Sequence, residues 1–445
     1  MTLIVTLPTQ FILTPSRDMA NYPKLTAKDY ICMPHGKVAD TSLPPDWNEY
    51  VGDNLSKFVK QENGDTVADG PYGAPLSITS VPPRSQTGPD DPAGHTEFFY
   101  LSEETRNKVF NYPGFPQPVV NPKVPRHEVR DAPGKGLGVY ATCDMYPGDL
   151  IWAERPLIVT INAIIPPKGT HIGDHHTVAQ GNALRLYAGE RTVEAIVGRL
   201  TPERRAKFMS LANSHKEDGS GPCSAIMRTN ELEIRMVEGE PGPNPEDAYF
   251  RYAAIADDLS RTNHSCIPNI HYVFDFASFS LRIYAWARVK KGDELVWSYV
   301  KRSQSTSLRQ KDLSPYGFKC SCRICATGGH DTATEIMWES VLSRTYKYAC
   351  AVMQELLKEE LGDTPFHEKS PAQKEARLVD YRRYLSRVEE IQRESDSYGN
   401  SAEIYILVLL HELNKRLGNE TRRRRYANLV IRWMRCLDLE YLPYL

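Results

Sequence analysis

Three cysteines within six residues, Cys320-Ser-Cys322-Arg-Ile-Cys325, constrain this chain more than any other feature. Thiols spaced by one and two residues can turn toward one centre without long loops. The ion that takes such ligands in a closed tetrahedral site is zinc. Three thiols leave one coordination position open, so another part of the chain must return to the cluster. Two residues are candidates: His330, close by, and Cys266, across a larger gap, in Asn263-His-Ser-Cys-Ile-Pro-Asn269. The other cysteines, Cys32, Cys143, Cys223, Cys350 and Cys436, are scattered. Nine in 445 residues is an odd count and too sparse for a disulfide framework.

Charge excludes one class of function. With 54 Lys+Arg against 56 Asp+Glu, the net charge of −2 supplies no global field for coating a nucleic-acid backbone. The run Arg422-Arg-Arg-Arg425 could be a nucleic-acid contact or nuclear address, but in a helical stretch near Trp433 it reads first as a solvated face. The start, Met1-Thr-Leu-Ile-Val-Thr-Leu-Pro8, lacks the basic residues and longer apolar core of a secretory signal. No run approaches the roughly 20 apolar residues that span a bilayer. A soluble intracellular protein without a membrane partner is expected.

The texture of the chain divides it. Seventeen of 32 prolines fall in residues 1–125, which read as a loop-rich arm, partly docked through Trp47, Tyr50, Phe98, Phe99 and Tyr100. Residues 126–160 read as a small β-meander, with Gly134-Lys-Gly-Leu-Gly138 turning between strands. Helical signals fill 161–222, including Thr201-Pro202-Glu203, where Thr can cap and Pro can occupy the first helical position. Strands return in 223–300, where Ser280 to Val289, the turn Lys290-Lys-Gly-Asp293 and Glu294 to Tyr299 predict a hairpin ending in a tyrosine. Residues 301–327 carry the cysteine cluster. Residues 328–445 are helical, with Leu378, Tyr381, Leu385, Val388 and Ile391 on one face after Ser370-Pro371, and a second helix stopped by Gly418.

Two polar stretches stand out. Asn263 to Asn269 is too polar for a core segment yet sits between apolar stretches, so its groups need partners. Alone, Asn263 and His264 would be turn and packing residues; the neighbouring metal candidate Cys266 shifts that balance. The glycine turn at 134–138 has neither the spacing of a dinucleotide fingerprint nor a helix after it, and alone would be a plain β-turn.

In their order, the glycine turn, Asn263-His264-Ser265-Cys266, the strand Glu294 to Tyr299 and Tyr316-Gly-Phe-Lys-Cys-Ser-Cys-Arg-Ile-Cys325 resemble a SET-domain lysine methyltransferase. The chain is similar in particular to the SET and MYND branch and its fungal relatives, by motif from about Val129 to Ala326. The resemblance implies an α+β chain: a β-rich pseudoknotted SET fold with a helical insert, a zinc-binding post-SET segment and an all-helical C-terminal domain. It implies S-adenosylmethionine as cofactor, approached by Lys135, Gly136 and Gly138, contacted by Asn263, His264 and Asn230, with Tyr316 and Phe318 shaping the adenine pocket or lysine channel. Tyr299 would be the active-site tyrosine, and Cys266, Cys320, Cys322 and Cys325 would hold a structural zinc.

One departure bears on substrate choice. Residues 154–222 contain no cysteine, so the two-zinc MYND module of that branch is absent, and His171, His175, His176 and His215 cannot replace it. The expected activity is methyl transfer to a lysine of a histone or other protein, by a cytoplasmic or nuclear monomer that does not bind nucleic acid directly. The competing expectation is a catalytically silent SET scaffold that binds peptide or chromatin proteins.

Overall fold

The computed structural model describes residues 43–47, 55–70, 75–87, 91–161, 165–169, 172–216, 218–234, 252–300, 304–326, 347–356, 358–359, 366–395 and 402–437. Among them are fourteen strands: β1 (Val59–Lys60), β2 (Thr66–Asp69), β3 (Pro75–Val81), β4 (Thr96–Tyr100), β5 (His127–Ala132), β6 (Gly136–Ala141), β7 (Leu150–Glu154), β8 (Ile158–Ile161), β9 (Leu232–Ile234), β10 (Tyr252–Ile255), β11 (Asn263–His264), β12 (Ile270–Asp275), β13 (Ser280–Ala285) and β14 (Glu294–Trp297). They form sheets ordered β1-β2-β3-β4-β8-β10-β9, β11-β14-β6-β5 and β12-β13-β7.

Two local pairings differ from the simplest reading of the sequence. The chain does turn at Lys290 to Asp293, where Asp293 N–H donates to the Lys290 carbonyl at 3.0 Å. Yet β13 and β14 are not a hairpin: β13 lies between β12 and β7, while β14 lies between β6 and β11. Val289 instead bridges to Met145, which carries the chain away from β13 before it turns. The meander expected over 126–160 is split in the same way, since β5 and β6 pair with each other but β7 pairs with β13. A strand takes the partner that buries its apolar face, and here those partners are remote in sequence.

Within the expected N-terminal arm, the described residues hold more regular structure than the prolines suggest; Tyr50 lies outside the described residues. β1 to β4 extend the largest sheet, and β4 lies parallel to β8. β4 is buried along its whole length, with Phe98 and Phe99 in the main core beside Ile158, Phe279 and Tyr252. The stretch Thr96-Glu-Phe-Phe-Tyr100 has the β-branched and aromatic content of a central strand, and the prolines fall outside it.

Glu97, wholly buried in β4, locks this segment to the rest. Its carboxylate meets Arg199 Nε at 2.6 Å and Arg84 Nη2 at 3.2 Å and accepts from Ser80 Oγ at 3.0 Å. Arg199 ends the helix Val178–Arg199 and also donates to the Gly64 carbonyl at 2.9 Å and to Thr66 Oγ1 in β2 at 2.6 Å, so the ion pair joins the helical insert to three N-terminal strands and the turn between β1 and β2.

The insert's helices start where local chemistry permits. Thr201 Oγ1 accepts from Arg204 N–H at 3.4 Å with Pro202 in the first position of Pro202–Met209. Near the C-terminus, Ser370 and Gln373 cap Pro371–Ser395 reciprocally. The helix Ala402–Arg416 is followed by Gly418 at φ +70°, and Glu420–Leu437 returns against it. Tyr381, Leu385, Val388, Leu410 and Val430 share their core. Glu420–Leu437 touches the β-rich part at Gly148, where an added Cβ would fall 2.3 Å from Arg432 Cβ. In the arginine run, Arg422 pairs with Glu389, and Arg423 and Arg424 with Glu420, on the helix surface. No helix among the described residues is long and apolar enough to cross a membrane.

Glu97→Ala should cost about 3–5 kcal/mol, because it leaves the Arg199 charge without its buried partner. Denaturant unfolding of the two proteins measures it. A loss under about 1 kcal/mol, the range of an exposed pair, would mean that solvent compensates Arg199.

Candidate active site and metal centre

The site forms where the polar stretch Asn263 to Asn269 meets β14. β11 runs parallel to β14, with Asn263 opposite Val296 and His264 opposite Trp297. Ser265 N–H then donates to the Trp297 carbonyl at 3.0 Å. Asn269 stitches the far end, its amide donating to the Glu294 carbonyl and its oxygen accepting from Val296 N–H, both at 2.8 Å. The partners that a buried polar segment requires are thus the backbone of β14. The approach to β11 is set by Glu154 at the end of β7. Its carboxylate accepts from the N–H groups of Asp257, Asp258 and Leu259 at 3.0, 3.1 and 2.7 Å. Burial pushes this carboxyl up and the Asp258 charge adds to it, while the Leu259 and Asp258 N–H groups and the Trp152 indole oppose the shift.

Cys266, Cys320, Cys322 and Cys325 bring their sulfurs within 4.8 Å of one another. Cys266 Sγ lies 3.9 Å from Cys320 Sγ and 3.6 Å from Cys325 Sγ. Zinc–sulfur bonds of about 2.3 Å at tetrahedral angles place sulfurs roughly 3.8 Å apart, so the spacing fits that ion. The other candidate ligand, His330, lies outside the described residues. Hydrogen bonding from Cys266 lowers the Cys322 thiol to about 4, while Cys266 itself is pushed up by that bond and burial raises Cys320 to about 11. Four thiolates cannot coexist here by themselves; a dication would let all ionise.

The cluster is supported by residues that sequence reasoning passed over. In the helix Thr306–Leu313, Gln310 clasps the Cys320 backbone, its amide donating to the carbonyl at 2.8 Å and its oxygen accepting from N–H at 3.0 Å. Buried Arg309 places Nη2 3.9 Å from Cys325 Sγ. The only sequence signal was a helix-compatible run just before the cysteines.

His264 couples the thiols to the tyrosine. Its Nδ1 accepts from Tyr299 N–H at 3.0 Å, so Nε2 carries the proton and donates toward Cys266 Sγ at 3.3 Å. Burial holds the imidazole neutral, with its pKa lowered to about 4. The Tyr299 hydroxyl donates to the Thr262 carbonyl at 2.6 Å, leaving its lone pairs for another donor. Burial raises the phenol, which therefore stays protonated. Around it the ring centroids of Tyr316, His264 and Trp297 lie at 5.0, 5.2 and 5.4 Å, and Phe318 at 6.4 Å. Gly317, at φ +75°, turns the chain between Tyr316 and Phe318 so that both rings reach the group.

On the other flank, Gly134 and Gly136 have φ of +75° and +78° and open space where a Cβ would stand. Gly138 is different: a Cβ would come 3.0 Å from Glu294 Oε1 and 3.1 Å from Asn263 Nδ2. Lys135 Nζ reaches across to Glu294 Oε2 at 2.7 Å, and Asn263 Nδ2 donates to Glu294 Oε1 at 2.7 Å and the Leu137 carbonyl at 3.0 Å. Glu294 is therefore the hub of this flank, although in the sequence it looked like the first residue of a strand. Bare backbone at Gly136, half-exposed Lys135 and the exposed ring of Phe318 leave this flank open to a ligand.

Asn230 stands apart from this group. Its amide donates to the carbonyls of Ala212 and Ile226 at 2.8 and 2.7 Å, so both its donors serve the fold and only its oxygen remains for a ligand. A second cluster, Asp46 with His175 and His176, has metal-like spacing. However, His176 Nδ1 accepts from Gly173 N–H at 3.2 Å, which puts the ring proton on Nε2, facing Asp46 Oδ1 at 3.3 Å. A ligand nitrogen needs the opposite tautomer, and the cluster serves as a carboxylate clamp between residue 46 and the helical insert.

Residues 136–300, from β6 to just past β14, match the SET domain family. "Histone-lysine N-methyltransferase set5" of Schizosaccharomyces pombe is 25% identical over 201 residues, 45% of this chain and 50% of the relative. "N-lysine methyltransferase SMYD2-A" of Xenopus laevis is 37% identical over 82 residues, 18% of this chain and 19% of the relative. "Histone-lysine N-methyltransferase SMYD3" of Mus musculus is 34% identical over 88 residues, 19% of this chain and 20% of the relative. The chain thus matches half the length of the first and about a fifth of the other two. A solved structure described as "Structure of the Neurospora SET domain protein DIM-5, a histone lysine methyltransferase" aligns at 14% identity over 41% of this chain and 54% of that one, with a TM-score of 0.20, too low to add to the assignment. Residues 136–300, which carry most of the glycine turn, the Asn263 to Asn269 stretch and Tyr299, match the SET domain family, and the chain is similar to proteins named SET5 and SMYD.

Proposed function

We propose that this protein is an S-adenosylmethionine-dependent protein-lysine N-methyltransferase, built on a pseudoknotted SET fold with a structural zinc. The substrate would be a lysine of a histone or another protein, in the cytoplasm or nucleus. The observation that carries this reading is the pair of bonds on His264, which ties Tyr299 to the thiol cluster and leaves a buried, protonated phenol among aromatic rings. The relatives named as lysine methyltransferases support the same class.

The residues have separate tasks. Lys135, Gly136, Gly138, Asn263 and His264 would hold S-adenosylmethionine, with Tyr316 and Phe318 against its adenine or the lysine stem and Asn230 contributing its amide oxygen. When bound, that cofactor supplies an electrophilic methyl group on a sulfonium. Lys135 can exchange Glu294 for the ligand's carboxylate, since both offer an anion to the same ammonium. The aromatic walls strip water from an entering lysine and disfavour its ammonium form. The Tyr299 oxygen, its proton committed to Thr262, accepts from the amine and aligns its lone pair, and such positioning supplies much of the acceleration. Cys266, Cys320, Cys322 and Cys325 would fill all four zinc positions, so the metal holds the wall in place and takes no chemical role.

The purified protein should carry about one zinc ion per chain, and Cys266→Ser should lose it while Cys143→Ser does not. Elemental analysis decides this; undiminished zinc in Cys266→Ser would transfer the fourth ligand elsewhere, with His330 first to be tested. Tyr299→Phe keeps the ring but removes the hydroxyl, and a buried hydrogen-bonding group is worth about 1–3 kcal/mol. Methyl transfer should fall several-fold to about a hundredfold, or stop at a different number of methyl groups, with zinc retained. Labelled-cofactor transfer to a cell extract provides the assay. Wild-type rate and product in Tyr299→Phe would make Tyr299 a packing residue, and cofactor binding without transfer to any protein would favour a silent scaffold.

A further inference from the structure

A buried guanidinium stands beside the thiol cluster. Arg309 is 1% exposed and lies in the first turn of the helix Thr306–Leu313, which Ser305 starts by accepting from Leu308 N–H at 3.3 Å. Its side chain folds back over that start. Nη1 donates to the Gln304 carbonyl, and Nη2 donates to Thr306 Oγ1 at 2.9 Å and toward Cys325 Sγ at 3.9 Å. The next residue, Gln310, clasps the Cys320 backbone, and Leu313, one turn on from Arg309, is buried in the same cluster as Cys266 and Cys320. One end of this helix therefore brings a cation, an amide and an apolar anchor to the sulfurs.

A cation in this place needs an anion facing it. Burial strips a guanidinium of water at a cost in free energy, and the start of a helix carries the positive end of its dipole. The sulfurs supply the opposite sign, because a dication bound by four thiolates is left with excess negative charge. The other donors that meet them are of a different kind. His264 Nε2–H donates toward Cys266 Sγ at 3.3 Å, and Cys322 N–H donates to Cys320 Sγ at 3.5 Å. The second imidazole nitrogen accepts from Tyr299 N–H, so the ring holds one proton and both of these donors are neutral. Arg309 brings a full positive charge to Cys325. That cysteine sits in the one-turn helix Arg323–Ala326, so the guanidinium ties this turn to the helix Thr306–Leu313.

We propose that Arg309 is a positioning residue of the metal centre: its charge balances the zinc-loaded thiolates and its N–H holds Cys325 in place as a ligand. The role rests on the zinc reading above. A charged donor to a thiolate stabilises the ionised, metal-binding form of that sulfur, so Arg309 governs how tightly the centre keeps its ion.

The test uses the full chain and measures metal binding, not methyl transfer. Arg309→Gln and Arg309→Met remove the charge, Arg309→Lys keeps it, and Leu313→Ala loosens the same helix without removing a donor to sulfur. Circular dichroism and thermal melting check the fold of each zinc-loaded chain, and two neutral replacements guard against one that does not fold. Competition with a chromophoric chelator should show zinc affinity about 10–100-fold weaker in the neutral variants, the range for losing a group that supports a metal ligand. Arg309→Lys should lose less than either. Cobalt(II) in place of zinc gives the second readout. Removing a cation from a thiolate raises its lone pairs, so the sulfur-to-cobalt charge-transfer band should move to lower energy in the neutral variants and hold its place in Arg309→Lys and Leu313→Ala. Wild-type zinc affinity with an unshifted cobalt band in the folded neutral variants overturns the proposal and leaves the zinc centre standing. Weaker affinity with an unshifted band, matched by Leu313→Ala, makes Arg309 a packing residue and overturns it as well. A wild-type chain that takes up neither zinc nor cobalt removes the metal centre itself, and the role of Arg309 with it.

Discussion

The return of Cys266 to the cluster at residues 320–325 is the contact on which the site depends. Its sequence separation from Cys320 is 54 residues, and everything between must be arranged so that the sulfurs meet. β12, β13 and β14 lie in that interval, and β14 is the strand to which the Cys266 loop is stitched. Once the thiols converge, His264 is trapped with one nitrogen toward Cys266 and the other toward Tyr299 N–H. The imidazole has one proton to give and one lone pair to fill, and both are used. Orientation of the tyrosine is then a consequence of the thiol geometry rather than a separate feature of the strand.

Buried and half-buried carboxylates organise the remainder. Glu97 ties the N-terminal strands to the insert, Glu154 gathers the N–H groups that lead into β11, Glu190 starts the helix that ends at Asn230, and Glu294 collects Lys135 and Asn263 beside the glycine turn. Each is satisfied by donors from segments distant in sequence, which is the condition under which a buried charge specifies a structure instead of merely costing stability.

Some of the architecture was legible locally. Thr201-Pro202 and Ser370-Pro371 begin helices because a side-chain cap and a fixed proline φ act within one turn. Gly418 follows a helix end for an equally local reason. β5 and β6 pair with each other across the short turn at Gly134 because so close a reversal brings them side by side. The glycine turn, Asn263, His264, Tyr299 and the cysteines were likewise visible as a family's motifs in order, and the thiols, His264 and Tyr299 do come together. The four N-terminal strands were hidden by prolines that lie mostly outside them, and the expected hairpin at Lys290 to Asp293 failed because each flanking strand found a remote partner.

Residue type and spacing thus determined the thiol triple, the helix starts and the elements that read as strands by composition alone. The identity of each strand's neighbour, the direction of the His264 proton, the gathering of Lys135 and Asn263 around Glu294 and the spending of Asn230's donors within the fold were decided only by tertiary structure. Caps and turns act over a few residues, whereas the partner of a strand or of a buried charge is selected by what the whole core brings beside it.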